Sequence, residues 1–516
     1  MSVYRPRSTL LSTLAAVLTG CAVGPNYHQP ALELPPQYAA SAGHGAALES
    51  HSVKDATPVE ITGWWHALED PELDSLVERA IQGNPDLQVA LDRLQAARVQ
   101  EAAIIGTVLP VAEASAGAAH GTGTDLTRGR ASQTLVSADD TSGLTHINAI
   151  GGFDAVWELD VFGKYRREIE ATRDDTQAQL AARNAVLVAV VADVARSYVD
   201  LRGLQVRAAV LRGAIDVLRE SQRIVTLRYQ RGITNELDVT LATRELATLE
   251  SQVAPVEAQM HAAQYTIATL LGLYPEEMVK ELSAAAMVPA VPAVIDTGLP
   301  LDLLRRRPDV QEAERSLAAS TARIGVATAN LFPELALSGA VGFQKQSQGT
   351  LPSIGKHIWS AGPAAAWPLL DFGALDAQVE IADLQTRALL VTYKQTIQGA
   401  VREVDSSFDL YGAEQQSLDK LETALLASQR AVTLANERYE RGLTDYLNVV
   451  EAERAEYDIE EQYTAAQVAL AEDFIALYRS LGGGWESYQS LPQVRRPQPA
   501  VIAMFTRIFA PDDPLK

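Results

Sequence analysis

The most distinctive side chain in the sequence is a thiol. Cys21 is the only cysteine among 516 residues, so no disulfide can form within the chain. Three of the 8 histidines, His28, His44 and His51, fall in one stretch containing Pro, Gly and Ala. They lack ligand spacing and a companion carboxylate cluster, so solvated loop histidines are expected rather than a metal centre. No G-x-S-x-G, P-loop, H-E-x-x-H or paired-cysteine motif occurs, and Gly121-Thr122-Gly123 is an isolated fragment. Neither an enzyme nor a bound cofactor is expected. Leu447, Asn448 and Glu451 fall at i, i+1 and i+4, which places Leu447 and Glu451 on one helix face a turn apart.

Glu451 lies in a stretch that occurs twice. Residues 228–244, RYQRGITNELDVTLATR, align without a gap on residues 438–454, RYERGLTDYLNVVEAER, at an offset of 210. Gly232 and Gly442 each stand where a long helical pattern ends and the chain turns back, so each copy reads as a helix–turn–helix tip. The duplication is wider. Trp157 to Gly163 (WELDVFG) returns as Trp367 to Gly373 (WPLLDFG), again at 210. Asn84-Pro85-Asp86-Leu87-Gln88 matches Arg307-Pro308-Asp309-Val310-Gln311 at 223, as Leu109-Pro110 matches Phe332-Pro333. The first copy therefore carries 13 extra residues between Pro110 and Trp157. The organisation expected is a first repeat over 65–282, a linker over 283–300, a second repeat over 301–485 and a Pro-rich tail over 486–516.

Two periodicities build each repeat. Leu187, Val191, Val194, Tyr198, Leu201, Leu204, Ala208, Leu211, Ile215 and Leu218 step by threes and fours, nearly a heptad seam. Helical tracts over about 166–229 and 374–439 would reach roughly 90 Å, and shorter helices return over about 237–271 and 447–481. After Pro110 the period becomes two. Ile147, Ala149, Phe153, Ala155, Trp157, Leu159 and Val161 alternate with Asn148, Asp154, Glu158 and Asp160. The second copy repeats this with Leu335, Leu337, Val341 and Phe343, then the run from Trp359 to Trp367. One hairpin is expected over about 110–163 and another over about 333–373, with tips near 232 and 442. Strands of about 9–11 such residues cross a bilayer, and Trp157, Trp359 and Trp367 suit its interfaces; the alternative is a soluble hairpin in each half. Residues 120–146, rich in Gly, Thr, Ser and Asp, read as a long exposed loop. Four strands do not close a membrane barrel, and an open edge in lipid strands its backbone groups. Several copies must then share one barrel, and the pattern alone does not choose between two and three. The fold class is mainly α with a small membrane β part.

Residues 1–20 carry Arg5, Arg7 and the apolar run Leu10 to Leu18, an export signal too short to span a bilayer. The signal ends in Leu18-Thr19-Gly20-Cys21, which resembles the lipobox of bacterial lipoproteins. Cys21 would then carry an S-diacylglycerol and an N-acyl chain, and several buried chains at about 0.8 kcal/mol per CH₂ anchor stably. Ala22 follows instead of Asp, which in lipoprotein families favours the outer membrane. Residues 21–64 read as an extended arm. A net charge of -22 argues against nucleic acid as partner.

Taken in order, several motifs resemble the outer-membrane factor family of TolC-like channels, nearest its lipoprotein branch that serves resistance–nodulation–division (RND) efflux pumps. They are Thr19-Gly20-Cys21 with Gly24-Pro25-Asn26-Tyr27, Trp64-Trp65 before Asp70-Pro71-Glu72-Leu73, Asn84-Pro85-Asp86-Leu87 and the Trp157–Gly163 motif. Arg306-Arg307-Pro308-Asp309-Val310, Leu331-Phe332-Pro333 and Leu477-Tyr478-Arg479-Ser480-Leu481-Gly482-Gly483-Gly484-Trp485 complete the set. The resemblance implies a homotrimer in the outer membrane, with a 12-stranded barrel in lipid and an α-helical tunnel through the periplasm. It implies a periplasmic adaptor (membrane fusion) protein and an inner-membrane RND-type pump as partners. It places the periplasmic gate at Leu447, Asn448 and Glu451, with Asn448 where the family carries a second acid. It also implies a latch from Tyr439 to Asp238; the family's partnering Arg falls at Thr444, and Arg441 is the neighbouring substitute. The function implied is a passive efflux duct for small molecules. The alternatives are a channel for type I protein secretion and a lipid-anchored periplasmic coiled-coil scaffold.

Overall fold

The elements follow the two periodicities. The computed structural model describes residues 22–31, 61–122, 145–292, 306–348 and 354–488. A 3-10 helix (Ile61–Leu68) precedes α1 (Pro71–Gly83), α2 (Pro85–Thr107), β1 (Val111–Thr122) and β2 (Thr145–Leu159). Next come α3 (Lys164–Gln230), α4 (Glu236–Leu270), α5 (Pro275–Glu281) and α6 (Pro308–Ala329). β3 (Glu334–Gln348), β4 (Ile354–Ala366), α7 (Ala374–Glu440) and α8 (Tyr446–Ser480) follow, and a 3-10 turn (Glu486–Tyr488) comes last among the described residues. Cys21, His44, His51, the linker beyond residue 292 and the tail beyond residue 488 lie outside the described residues.

α3 and α7 each run 67 residues, about 100 Å of helix. Each ends in a left-handed glycine, Gly232 at φ 71 and Gly442 at φ 68, a conformation that side chains with a Cβ resist. α4 and α8 return for 35 residues each. The return continues past a break. The Asn84 side-chain amide donates to Leu270 O at 2.8 Å while its oxygen caps Leu87 N at 3.0 Å, so α4 abuts the start of α2. Arg307 Nη1 donates to Ser480 O at 2.6 Å, so α8 abuts the start of α6.

The seam read from the sequence is the core of α3. Nine of its residues are buried, Leu187, Val191, Val194, Tyr198, Leu201, Ala208, Leu211, Ile215 and Leu218, each worth about 1.5–3 kcal/mol if fully buried; Leu204 is partly buried. α3 contains an 18-residue window apolar enough to cross a bilayer by composition, but 61% of it is buried inside the protein. Half-way along, Trp64 stacks on Tyr478 at 6.0 Å and meets Phe474 edge-on. There α1 is tied to α3 through Tyr198 Oη, which donates to Asp70 at 2.7 Å.

Each half carries the one hairpin expected of it, β1 against β2 and β3 against β4. All four strands form one antiparallel sheet in the order β1-β2-β3-β4, with β2 against β3 and with β1 and β4 as free edges. Backbone pairing across the halves satisfies groups that two separate hairpins would leave open. Alternation holds across the sheet. Ala114, Phe153, Val341 and Trp359 form one cross-strand row, while Glu113, Asp154, Ala340 and Ser360 form the adjacent row on the opposite face. The loop expected over 120–146 is shorter than read, because β1 continues to Thr122 and β2 starts at Thr145. The ladder carries small and polar residues there.

Candidate functional site

The tips bring together residues from both halves. Val225, Ala242, Tyr439, Tyr446, Val449 and Val450 are buried as one apolar cluster where α3, α4, α7 and α8 meet. Arg228 of α3 lies over the Tyr439 ring of α7 at 4.3 Å, and Ser221 of α3 is 2.8 Å from the Tyr446 hydroxyl of α8. Burial pushes the Tyr439 phenol above its ordinary value, against the opposing Arg228 charge. Asp238 is near, but its carboxylate takes the hydroxyl hydrogen of Thr234, and no hydrogen bond joins it to Tyr439 among the described residues. Asp238 N also donates to Asn235 Oδ1 at 3.1 Å, the cap of α4. Asp238, Tyr439, Arg441 and Thr444 therefore lie at the same end of the helices without a direct Tyr439–Asp238 bond. Arg441 ends α7 exposed, and Thr444 accepts from Asn448 Nδ2 at 2.7 Å.

Leu447, Asn448 and Glu451 lie on the exposed side of α8, with Leu447 46% exposed. Val449 and Val450, on the other side, fill the tip core. The chain's own packing thus leaves an apolar and acidic face free. Two residues beyond Glu451, Glu453 turns inward. Burial, with Glu456 adding repulsion, pushes its carboxyl up to about 7. It lines a cavity of about 400 Å³ with Glu245, Leu249, Val217 and Tyr457. Sequence reasoning missed Glu453 and the Arg228–Tyr439 and Ser221–Tyr446 contacts. The only signal was that Arg228 and Tyr439 both belong to the repeated stretch.

The sheet lies at the opposite end of the long helices. Trp157 Nε1 donates to Val108 O at 2.9 Å and Trp367 Nε1 to Leu331 O at 3.0 Å, which pins both indoles where a helix hands over to a strand. Trp359 is 78% exposed on the apolar row. It stands eight residues before Trp367, which lies just past the end of β4. The arm reaches the same junction. Val23 N donates to Phe162 O at 3.1 Å, and Gly24 lies so close to Gly325 that a Cβ would meet its Cα at 2.4 Å. Arg167, itself buried, donates to Val23 O at 3.1 Å, Gly24 O at 3.2 Å and Asn26 Oδ1 at 2.7 Å. The residues directly after Cys21 are thereby fixed beside the base of the sheet.

Known proteins share this arrangement. A profile of the outer membrane efflux protein family matches residues 76–273 and 299–483. Nodulation protein T of Rhizobium leguminosarum bv. viciae is 29% identical over 493 residues, covering 95% of this chain and 95% of its own. Cation efflux system protein CusC of Escherichia coli is 27% identical over 488 residues, covering 93% and 99%. The outer-membrane channel OprN superposes with a TM-score of 0.80 at 34% identity, covering 90% of this chain and 100% of OprN's. With the profile covering most of both helical halves, and a superposed channel of the same build, the chain belongs to the outer membrane efflux protein family.

Proposed function

We propose that three copies of this chain form the outer-membrane exit duct of a tripartite efflux pump. The observation that carries this reading is the single four-stranded sheet with two free edges at one end of helices 67 residues long. Such edges are unsatisfied in lipid, and three copies supply 12 strands, enough for a closed membrane barrel. α7 points the same way: 8 of its residues are buried against 25 in α3, and Ile381, Leu384, Val391 and Leu426 stand more than half exposed. A neighbouring copy would cover them.

The internal repeat is supported by contacts that recur at its two offsets, Asn84–Leu270 as Arg307–Ser480 and Trp157–Val108 as Trp367–Leu331. In the proposed assembly the barrel sits in the outer membrane and the paired helices line a tunnel through the periplasm. The tips meet an adaptor protein and an RND-type pump. Leu447, Asn448 and Glu451 form rings at the closed end, and the Arg228–Tyr439 and Thr234–Asp238 contacts hold the tips. Cys21 carries the lipid, and the docked arm supports this by holding Ala22 beside Gly163 at the foot of the sheet. A coiled-coil scaffold would account for the helices but not for an exposed row of Phe153, Val341 and Trp359.

Deletion of the gene in its native strain tests the reading. Susceptibility to pump substrates should rise and return to the parental level when the intact gene is restored. Unchanged susceptibility, with a secreted protein lost from the medium, would replace efflux by protein secretion.

A further inference from the structure

Behind the tip, α8 does not close fully on the first half. A cavity of about 400 Å³ lies between α3, α4 and α8, within the range of small-molecule sites. Small and apolar residues of α3, Val210, Gly213, Ala214 and Val217, form one wall, and Leu249 of α4 continues it. A Cβ added at Gly213 would meet nothing within 4 Å, so α3 leaves space there. The lining residues all belong to one chain, so the cavity does not depend on the assembly proposed above.

The charged groups facing the cavity are mostly of one sign. Glu245 of α4 and Glu453, Glu456 and Glu460 of α8 line it, against the single cation Arg454; α3 contributes no charge to the lining. The Arg454 side chain is 63% exposed and lies 3.8 Å from Asp458. Glu245 is buried and has Arg244 at 3.4 Å. The Tyr457 hydroxyl donates to Gln252 at 3.2 Å, not to these carboxylates. Glu453 Oε2 is wholly buried and has no hydrogen-bond partner among the described residues. Such an oxygen is unfavourable unless a proton or a cation meets it. Burial raises the carboxyls of Glu453, Glu456 and Glu460 alike, which is the mark of negative charge held without a counter-ion.

We propose that this cavity binds a hydrophobic organic cation, an ammonium carried on a compact apolar body. The body packs against Val210, Ala214, Val217 and Leu249. The ammonium donates to Glu453 Oε2, within the field of Glu245, Glu456 and Glu460. A metal ion fits less well, because no group of three or more carboxylate, imidazole or thiol ligands is placed to hold one among the described residues. An anion is opposed by four carboxylates, and a neutral molecule leaves the Glu453 oxygen unmet. Glu453 follows Glu451 by two residues on α8, so the bound cation would sit within about a turn of Glu451 along the helix.

Equilibrium dialysis of the purified full chain tests this, with naphthylmethylamine as probe and naphthylmethanol as its neutral isostere. Protein-free detergent sets the background, and pH 8 keeps Glu453 mostly ionised. The amine should bind saturably, one per chain, and the alcohol at least about tenfold more weakly, for want of a charge-assisted hydrogen bond. Glu453→Gln should weaken the amine by the same factor. Gly213→Leu should abolish binding, since it fills the space with a residue that suits a helix better than glycine. Glu250→Gln should change nothing, because Glu250 lies on α4 outside the lining and pairs with Arg219. Native mass and melting temperature check that each variant folds, and Glu453→Gln decides alone if Gly213→Leu does not. Equal affinity for amine and alcohol overturns the site, as does an equal loss in Glu250→Gln and Glu453→Gln. Binding that survives a folded Gly213→Leu, or no saturable binding to the parent, overturns it too. Each of these results leaves the duct standing.

Discussion

Glu453 is the side chain through which pH should reach the tips. Burial raises its carboxyl from the ordinary glutamate value of 4.5 to about 7, because desolvation disfavours the charged form. The raised value sits in the folded state, so the packing of α8 on α3 and α4 is at full strength below pH 4.5. It weakens as pH rises to about 7 and stays constant above. Glu453→Gln should raise the melting temperature at pH 8 and flatten its dependence between those values; an unchanged profile would assign the pH response elsewhere. On the exposed side of the same helix, Glu451→Ala should weaken block of single-channel current by divalent cations. Asp238→Ala with Tyr439→Phe should raise conductance, since it removes the carboxylate that anchors Thr234 and the hydroxyl beside it. Unchanged block and conductance in these variants would remove the three residues from the gate. The spacing of Leu447 and Glu451 was legible because a shared helix face follows from sequence separation alone. Glu453 was not, because whether a helical carboxylate is covered depends on α3 and α4 crossing over it from the other half.

At the scale of elements, each half is held at the same joints by different chemistry. The side-chain amide of Asn84 and the guanidinium of Arg307 both satisfy the last carbonyls of a returning helix, at 2.8 Å and 2.6 Å. Arg307 is 8% exposed and also meets Asp309 and Glu403. Arg307→Ala leaves the buried Ser480 carbonyl without its donor, at a cost of about 1–3 kcal/mol, while Asp309 and Glu403 are exposed enough for water to take over. Arg306, half exposed and paired with Glu486, should cost under about 1 kcal/mol when replaced by Ala. Thermal denaturation of the two variants separates them, and equal losses would contradict the role given to Arg307. The long helices, their glycine turns and the strand period were readable because each repeats a local rule over many residues. The register of β2 on β3 was not, since those strands are brought together by α3 and α6, which lie far apart in sequence. Strand ends misread as loop were Gly-, Thr- and His-bearing positions whose conformation is set by the partner strand and not by propensity.

At the scale of the whole molecule, a single copy is unfinished at every level. Its sheet has two free edges among the described residues, α7 has an uncovered apolar flank, and Leu447, Asn448 and Glu451 of α8 are exposed. Repetition around an axis answers all three with one interface, so the detergent-extracted protein should have a native mass of three chains, and a stable monomer with intact β-signal would refute the shared barrel. The sequence made this need visible through strand count and alternation, although the number of copies came only by resemblance. The central claim, that the assembly is a continuous duct, is tested most directly by current. Purified protein added to one side of a planar bilayer should produce discrete, long-lived conductance steps, larger in the Asp238→Ala, Tyr439→Phe variant than in the parent. A trimeric preparation of either protein that inserts into the bilayer without any current step would contradict it.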